Sequence, residues 1–249
     1  MIKAVDMVVG YQGQSLSPGV TGGGSVEPQG PVGEFCRTTG IGVAGPLSFE
    51  YADGECVMLR GRNGSGKTTL MKTIAGLLKP LSGTIEIGGE ALRPFDRSFD
   101  RPRTALRDRP AQDKAILVPT RIPKVKGFTV EDFIRSGMLA ESGAFKRLDK
   151  EAEDRVAEAI RMMELNQLAD KDLSRISDGE FQKACIASAL TRKANVLMLD
   201  EPTAFLDVEN RVMVLKTLQR LAHETGATVL FSTHDIHDGA LYSDSVLAL

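Results

Sequence analysis

Cysteine is scarce in this 249-residue chain: Cys36, Cys56 and Cys185 are odd in number, far apart, and form no C-x-x-C pair that could hold half of a zinc site. That excludes a disulfide framework and predicts the reduced thiols of an intracellular protein. A bias of charge is missing as well. With 31 Lys and Arg against 33 Asp and Glu the net charge is −2, and the isoelectric point lies near 6.0. This leaves no electrostatic case for nucleic acid or for adhesion to anionic lipid. No stretch approaches the roughly 18 apolar residues that span a bilayer. The opening "MIKAVDMVVG" lacks the apolar run and cleavage site of a secretory signal. The prediction is a cytosolic protein with no direct lipid insertion, whose contact with a membrane goes through another protein. Internal repeats are absent too, which excludes solenoids and propellers.

What is present suits a folded α/β chain: 42% of residues are hydrophobic and 26% charged, enough for one large domain or two small ones. Residues 2 to 9 read as a strand. Gln12 to Gly45 is crowded with Gly, Pro, Ser and Thr and has no apolar period, which predicts an insertion or a mobile loop. "LSFEYADGECVMLRG" predicts a hairpin feeding a buried strand, Cys56 to Leu59. "KTTLMKTIAGLLK" predicts a helix with Leu70, Ile74 and Leu77 on one face, ended near Pro80. "GTIEIGG" and "AILVP" read as strands, and Arg93 to Asp113 between them as a solvated loop or surface helix. "VEDFIRSGMLA" and the span Lys150 to Leu168, with Val156, Ile160 and Met163 on one face, predict a helical insert over residues 122–178. Strand and helix then alternate as in a covered parallel sheet: "NVLMLD", a helix to about Glu224, "ATVLFST" and a last strand "SVLAL".

The densest signal is "GRNGSGKTT", Gly61, Arg62, Asn63, Gly64, Ser65, Gly66, Lys67, Thr68 and Thr69, between a predicted strand and a predicted helix. It matches the phosphate-binding pattern G-x-x-x-x-G-K-[ST]. Glycines let successive N–H groups turn inward round a β-phosphate, the helix start adds positive potential, and Lys67 supplies a point charge. Thr68 offers a hydroxyl to magnesium. "VLMLDEPTAFLD", Val196 to Asp207, puts Asp200 and Glu201 at the end of a buried strand, where sheets of this type keep their ligands. Asp200 suits magnesium, and Glu201 suits orienting or deprotonating an attacking water. His234 in "LFSTHD" follows another buried strand, placed to sense a γ-phosphate, with a plain turn residue as the alternative. No further ligand close in sequence makes a metal pair of His234 and His237. "RISDGEFQK", Arg175 to Lys183, carries an S-x-x-E capping box at Ser177 and Glu180, and on its own reads as a well-capped helix start.

The order of these motifs resembles the ATP-binding subunit of an ABC transporter over nearly the whole chain except residues 12–45. Walker A is Gly61 to Thr68, the signature is "ISDGE" at Ile176 to Glu180, Walker B is Val196 to Asp200 followed by Glu201, the D-loop ends at Asp207, and the switch histidine is His234. A GTPase would show N-K-x-D, and a small-molecule kinase would lack a signature just before Walker B. The resemblance implies a P-loop NTPase (RecA-like) core with an antiparallel β subdomain and an inserted helical subdomain. Residues 1–121 and 179–249 would form the core with its β subdomain, 122–178 the helical subdomain and 12–45 the Gly/Pro-rich insert. It implies ATP and Mg2+ as cofactors, with metal ligands at Thr68, Asp200 and Thr120 and catalysis by Glu201 and His234. It further implies an ATP-sandwiched dimer with a second copy of the chain, in which Ser177, Gly179, Glu180 and Asp207 serve the opposite copy's nucleotide. Integral membrane permease subunits would be the other partners, placing the protein on the inner face of the cell membrane, with no nucleic acid. "GFTVEDFIRSG" and "DEPTAFLD" are similar to the ATPases of iron-siderophore, haem and cobalamin importers. The rival readings are an ATP-gated binding module with weak hydrolysis and a soluble ABC ATPase outside transport.

The sequence departs from the family pattern at several points. Thr120 stands where the family carries a glutamine, and its side chain reaches two bonds less far. The signature has Asp178 and Glu180 where the family has glycine and glutamine, so Asp178 is expected to point away from the interface and Glu180 to be held back by the capping box. Tyr11 in "VVGYQG" resembles the aromatic residue that stacks on adenine, with a surface tyrosine as the alternative. It lies farther before the phosphate loop than is usual, an offset the Gly-rich insert accounts for. Family members continue past the position of Leu249 through a further hairpin and helix, so a trimmed or fragmentary sequence is expected.

Overall fold

The computed structural model describes residues 1–12, 40–92, 114–138 and 149–249. The expectation for Arg93 to Asp113, and that for the insert between Gln12 and Gly40, lie outside the described residues. Among the described residues the strands form two sheets. β1 (Ile2–Gln12), β2 (Gly40–Tyr51), β4 (Ser82–Ile87) and β5 (Glu90–Ala91) form an antiparallel sheet in the order β2-β1-β4-β5. β3 (Cys56–Arg60), β6 (Ala115–Val118), β7 (Val196–Leu199), β8 (Thr228–Ser232) and β9 (Ser245–Ala248) form a parallel sheet in the order β6-β7-β8-β3-β9.

β3, β6, β7 and β8 are largely apolar because both of their faces are covered, whereas the edge strand β9 is part-exposed along its length. Alternate residues go to different cores. Cys56, Met58, Leu197, Leu199, Val229 and Phe231 enter one, while Val57, Leu59, Val196, Met198 and Leu230 enter the other. The second core is closed by Leu70, Met71 and Ile74 of α1 (Lys67–Ile74) and by Ile2, Met7 and Ile87 of the antiparallel sheet. The first is closed by α2 (Val130–Ser136), α3 (Lys150–Met162), α4 (Asp178–Leu190) and α5 (Val208–Thr225), through residues such as Ile134, Val156, Ile186 and Leu215. A short α6 (Ile236–Leu241) precedes β9. Cys56 and Cys185 are buried free thiols, each pushed up to about 12, chiefly by burial; Cys36 lies outside the described residues.

Several sequence expectations are corrected. β2 does not form a hairpin with β3: it pairs with β1, and a turn at Asp53–Gly54, where Gly54 has φ 80° and donates to the Gly226 carbonyl at 2.9 Å, carries the chain into the other sheet. Residues 40–45 are strand rather than insert, paired with the end of β1 (Gly10↔Gly42, Tyr11↔Ile41). Their small side chains hid this. The two backbones approach closely there, since a Cβ on Gly10 would fall 2.2 Å from the Ile41 carbonyl oxygen and one on Gly45 2.5 Å from that of Met7. Leu77 is exposed, because α1 stops at Ile74 and Gly76 turns left-handed at φ 70°. α2 ends at Ser136, where Gly137 meets the Ser188 backbone so closely that a Cβ would lie 2.4 Å from its carbonyl oxygen. The span Lys150 to Leu168 is broken after Met162: Glu164 at φ 55° reverses the chain and buries Leu165 before a 3-10 turn at Asn166–Leu168.

The central strand β8 should therefore dominate stability and the edge strand β9 contribute little. Phe231, fully buried, should cost about 3–5 kcal/mol as Phe231→Ala, whereas Val246→Ala, at a residue 47% exposed, should stay within about 0.5 kcal/mol. Urea midpoints of the two variants check this, and equal losses would contradict the burial assignment.

Candidate functional site

Parallel pairing of β3, β6, β7 and β8 sends the loops after all four strands to one edge of the sheet, the edge at which α/β folds hold ligands. The loop after β3 turns through Gly64 (φ 82°) and Gly66 (φ 100°) into α1. Only glycine fits at Gly66, where the left-handed backbone leans on β2 and a Cβ would lie 2.9 Å from that of Ala44. Lys67 is buried, and its ammonium donates to the carbonyls of Gly61 at 2.7 Å and Arg62 at 3.1 Å, inside the loop. Thr129, Asp149, Ser177, Asp207 and Asp235 cap the starts of α2 to α6. The start of α1 has no side-chain cap and no acid in its first turn. Its N–H groups and its positive dipole end are thereby kept for an anion from outside the chain.

Opposite this loop, β7 delivers Asp200, which is buried. Its Oδ2 accepts from the Thr68 hydroxyl at 2.6 Å and its Oδ1 from the Ser232 hydroxyl at 2.8 Å. The Ser232 oxygen in turn accepts the Glu201 N–H at 2.9 Å. Glu201 has a left-handed backbone, φ 54°, costly for a residue with a long side chain. Its Oε1 lies 2.6 Å from His234 Nε2, with the Glu201 side chain 28% and the His234 side chain 60% exposed. Ser232 is the residue that sequence reasoning missed. It stood in view as a polar residue closing a buried strand, "LFS", and at 0% exposure it links the metal-type carboxylate to the backbone of its neighbour. The paired oxygens of Thr68 and Asp200 are hard donors that suit magnesium shared with phosphate oxygens and water. Among the described residues no group of three or more His, Cys, Asp and Glu could cage a metal unaided.

The other sequence-predicted residues fall around this centre. Tyr11 sits on β1 opposite Ile41, half-exposed, with its hydroxyl 3.5 Å from Thr69 Oγ1 beside the start of α1. Thr120 is two residues past Val118, which pairs with Leu199 and accepts the Asp200 N–H at 2.9 Å, so its loop runs beside the Asp200 loop. Ser177 caps α4 in a complete capping box: its hydroxyl accepts the Glu180 N–H at 3.2 Å and Glu180 Oε2 accepts the Ser177 N–H at 2.7 Å. That backbone N–H, first among several contacts, holds the Glu180 carboxyl below the usual carboxylate range. Asp178 points out to Lys124, 2.8 Å away. Gly179 lies so close to the Phe205 carbonyl that a Cβ would be 3.0 Å from its oxygen. Asp207 caps α5, its carboxyl held low chiefly by the Asn210 N–H. Ser177, Gly179, Glu180, Lys183 and Asp207 share the wall of one cavity of about 620 Å³, to which the phosphate loop contributes no residue.

Residues 44–204 match the sequence model of the family described as ABC transporter. The petrobactin import ATP-binding protein FpuC of Bacillus anthracis is 34% identical over 203 residues, which is 82% of this chain and 71% of that protein. The ferric enterobactin transport ATP-binding protein FepC of Escherichia coli K12 is 29% identical over 207 residues, 83% of this chain and 72% of that protein. Among solved structures, the dimeric structure of MJ0796, a bacterial ABC transporter cassette, superposes with a TM-score of 0.75 at 23% identity, over 100% of this chain and 94% of that one, a likeness of fold. With its phosphate loop, carboxylate pair and capped signature helix all inside or beside the matched stretch, the chain belongs to the ABC transporter family as one of its ATP-hydrolysing subunits.

Proposed function

We propose that two copies of this chain close on two Mg·ATP molecules, each held by the phosphate loop of one copy and the signature helix of the other, and that their opening drives a membrane importer. The separation of the two half-sites carries this reading. The signature and D-loop line a cavity to which their own phosphate loop contributes nothing, while the phosphate loop and the carboxylate pair lie together across the sheet edge. A twofold pair brings the halves face to face. The dimeric state of the MJ0796 cassette supports pairing of two copies.

In this reading Lys67 and the N–H groups of Gly64 to Thr69 hold the β- and γ-phosphates, and Tyr11 stacks on the adenine. Thr68 and Asp200 would hold magnesium, with Thr120 assigned a water-bridged contact, and the ion would withdraw charge from the phosphate oxygens. Glu201 orients a water whose oxygen bonds to the γ-phosphorus as the bond to the β–γ bridging oxygen breaks, and His234 steadies the γ-phosphate. Ser177, Gly179 and Asp207 act from the opposite copy. Phosphate release removes the bridge and lets the pair open. Residues 122–178 serve as the helical subdomain that meets the permease, and 1–121 and 179–249 as the core, in which residues 40–45 belong to the antiparallel sheet. The protein sits on the inner face of the membrane through that permease; among the described residues no helix is long and apolar enough to cross a membrane. The cargo class is an iron chelate, haem or cobalamin, and the petrobactin and ferric enterobactin relatives favour a siderophore complex.

Glu201→Gln should keep Mg·ATP affinity, lower hydrolysis about 100- to 10,000-fold and accumulate an ATP-dependent dimer visible by sedimentation. Adding Ser177→Arg should leave nucleotide binding by the monomer intact and abolish that dimer; persistence of the dimer would contradict the shared site. Thr120→Gln should raise steady-state ATPase several-fold, on the order of 3-fold or more, if the short threonine limits the attack geometry. An unchanged rate measured with the permease present would show that this loop is not limiting.

A further inference from the structure

The first turn of α4 carries two carboxylates, Asp178 and Glu180, at the helix end that the shared-site reading turns towards a partner's triphosphate. Uncompensated, they would repel it. Glu180 is drawn back onto the Ser177 N–H by the capping box. Asp178 has no such route, and its side chain is 73% exposed. Its charge is met from elsewhere in the chain. Lys124, in the loop from β6 to α2, places Nζ 2.8 Å from Asp178 Oδ1 and donates to the Ile176 carbonyl at 2.7 Å. The same nitrogen lies 5.7 Å from the centre of the Phe181 ring. With a side chain only 25% exposed, this ammonium is partly sheltered from screening by salt, and it is shared among a carbonyl, a carboxylate and a ring face, all belonging to the start of one helix.

Resting on the ATP-clamped pair proposed above, we infer that Lys124 is a positioning residue for the shared site: it cancels Asp178 and pins the Ile176–Ser177 backbone, so that an acidic signature can still receive a triphosphate. The Ile176 carbonyl immediately precedes Ser177, so holding it fixes where the capping hydroxyl and the first free N–H groups point. Lys124 also shares its loop with Thr120. The device therefore ties the strand edge that carries the nucleotide centre to the helix that serves the other copy.

The test uses the full chain in the Glu201→Gln background, reading the dimer dissociation constant by sedimentation at saturating Mg·ATP. Lys124→Met keeps the stem and removes the charge. It should weaken the dimer about 2- to 30-fold, since each pair contains the contact twice and a partly screened charge contact is worth roughly 1.4- to 5-fold per site. ATP binding by the monomer should stay unchanged. Adding Asp178→Asn should recover most of the loss, and Lys124→Arg should lose little. A Lys124→Met chain that dimerises like its parent overturns the inference, and so does a loss that Asp178→Asn leaves unrescued. If Lys124→Met fails to fold, Asp178→Asn alone decides: it should dimerise at least as tightly as the parent, and a loss of more than about 3-fold overturns the inference. A parent that stays monomeric with Mg·ATP overturns the shared-site reading itself, whereas a dimerising parent with an indifferent Lys124 overturns this step alone.

Discussion

A helix that starts without a cap leaves N–H groups exposed and unanswered, and among the described residues α1 is such a helix beside five whose starts are capped. The rest of the nucleotide edge is arranged round that deficiency. Gly66 is left-handed so that the N–H groups can turn inward, and this conformation holds because β2 packs against its bare Cα. Lys67 adds a full positive charge inside the loop, and Thr68 ties the first turn to Asp200 across the sheet. An anion completes the helix start, and folding alone does not.

The parallel sheet gives this centre its stiffness. Asp200, Glu201 and His234 come from the ends of β7 and β8, neighbours in the sheet, and Ser232 joins them through a single hydroxyl that donates to one carboxylate while accepting the next residue's N–H. A buried hydroxyl with both roles filled has no freedom to rotate, so Glu201 is held in its strained backbone by a group that also fixes Asp200. Strain of this kind persists where the surroundings over-determine it.

The strand and helix order, the phosphate loop and the carboxylate pair were legible in the sequence because each combines a period with a punctuation mark: apolar "VLML" before Asp200, or Gly-rich turn before Lys67. The errors came where composition and role diverge. Residues 40–45 looked like loop because Gly and Ala dominate them, yet they pair with β1, and at Gly10 and Gly45 the two backbones come too close for a Cβ. The false hairpin before Cys56 arose because alternation reveals a strand and says nothing about which sheet it joins. Breaks such as Glu164 left no mark in composition, since a glutamate with positive φ is a tertiary decision. Ser232, a polar mark on a buried strand, and Lys124 did not read as site residues for a similar reason, as their partners are distant in sequence and only the fold unites them.

The end of β1 and the start of β2 lie side by side, Gln12 opposite Gly40, close to the strand that supports Gly66. A segment whose two ends are clamped in one ladder can change length at a cost that grows only logarithmically. Evolution can therefore vary the length of the connection between these strands while the ladder beside Gly66 stays paired.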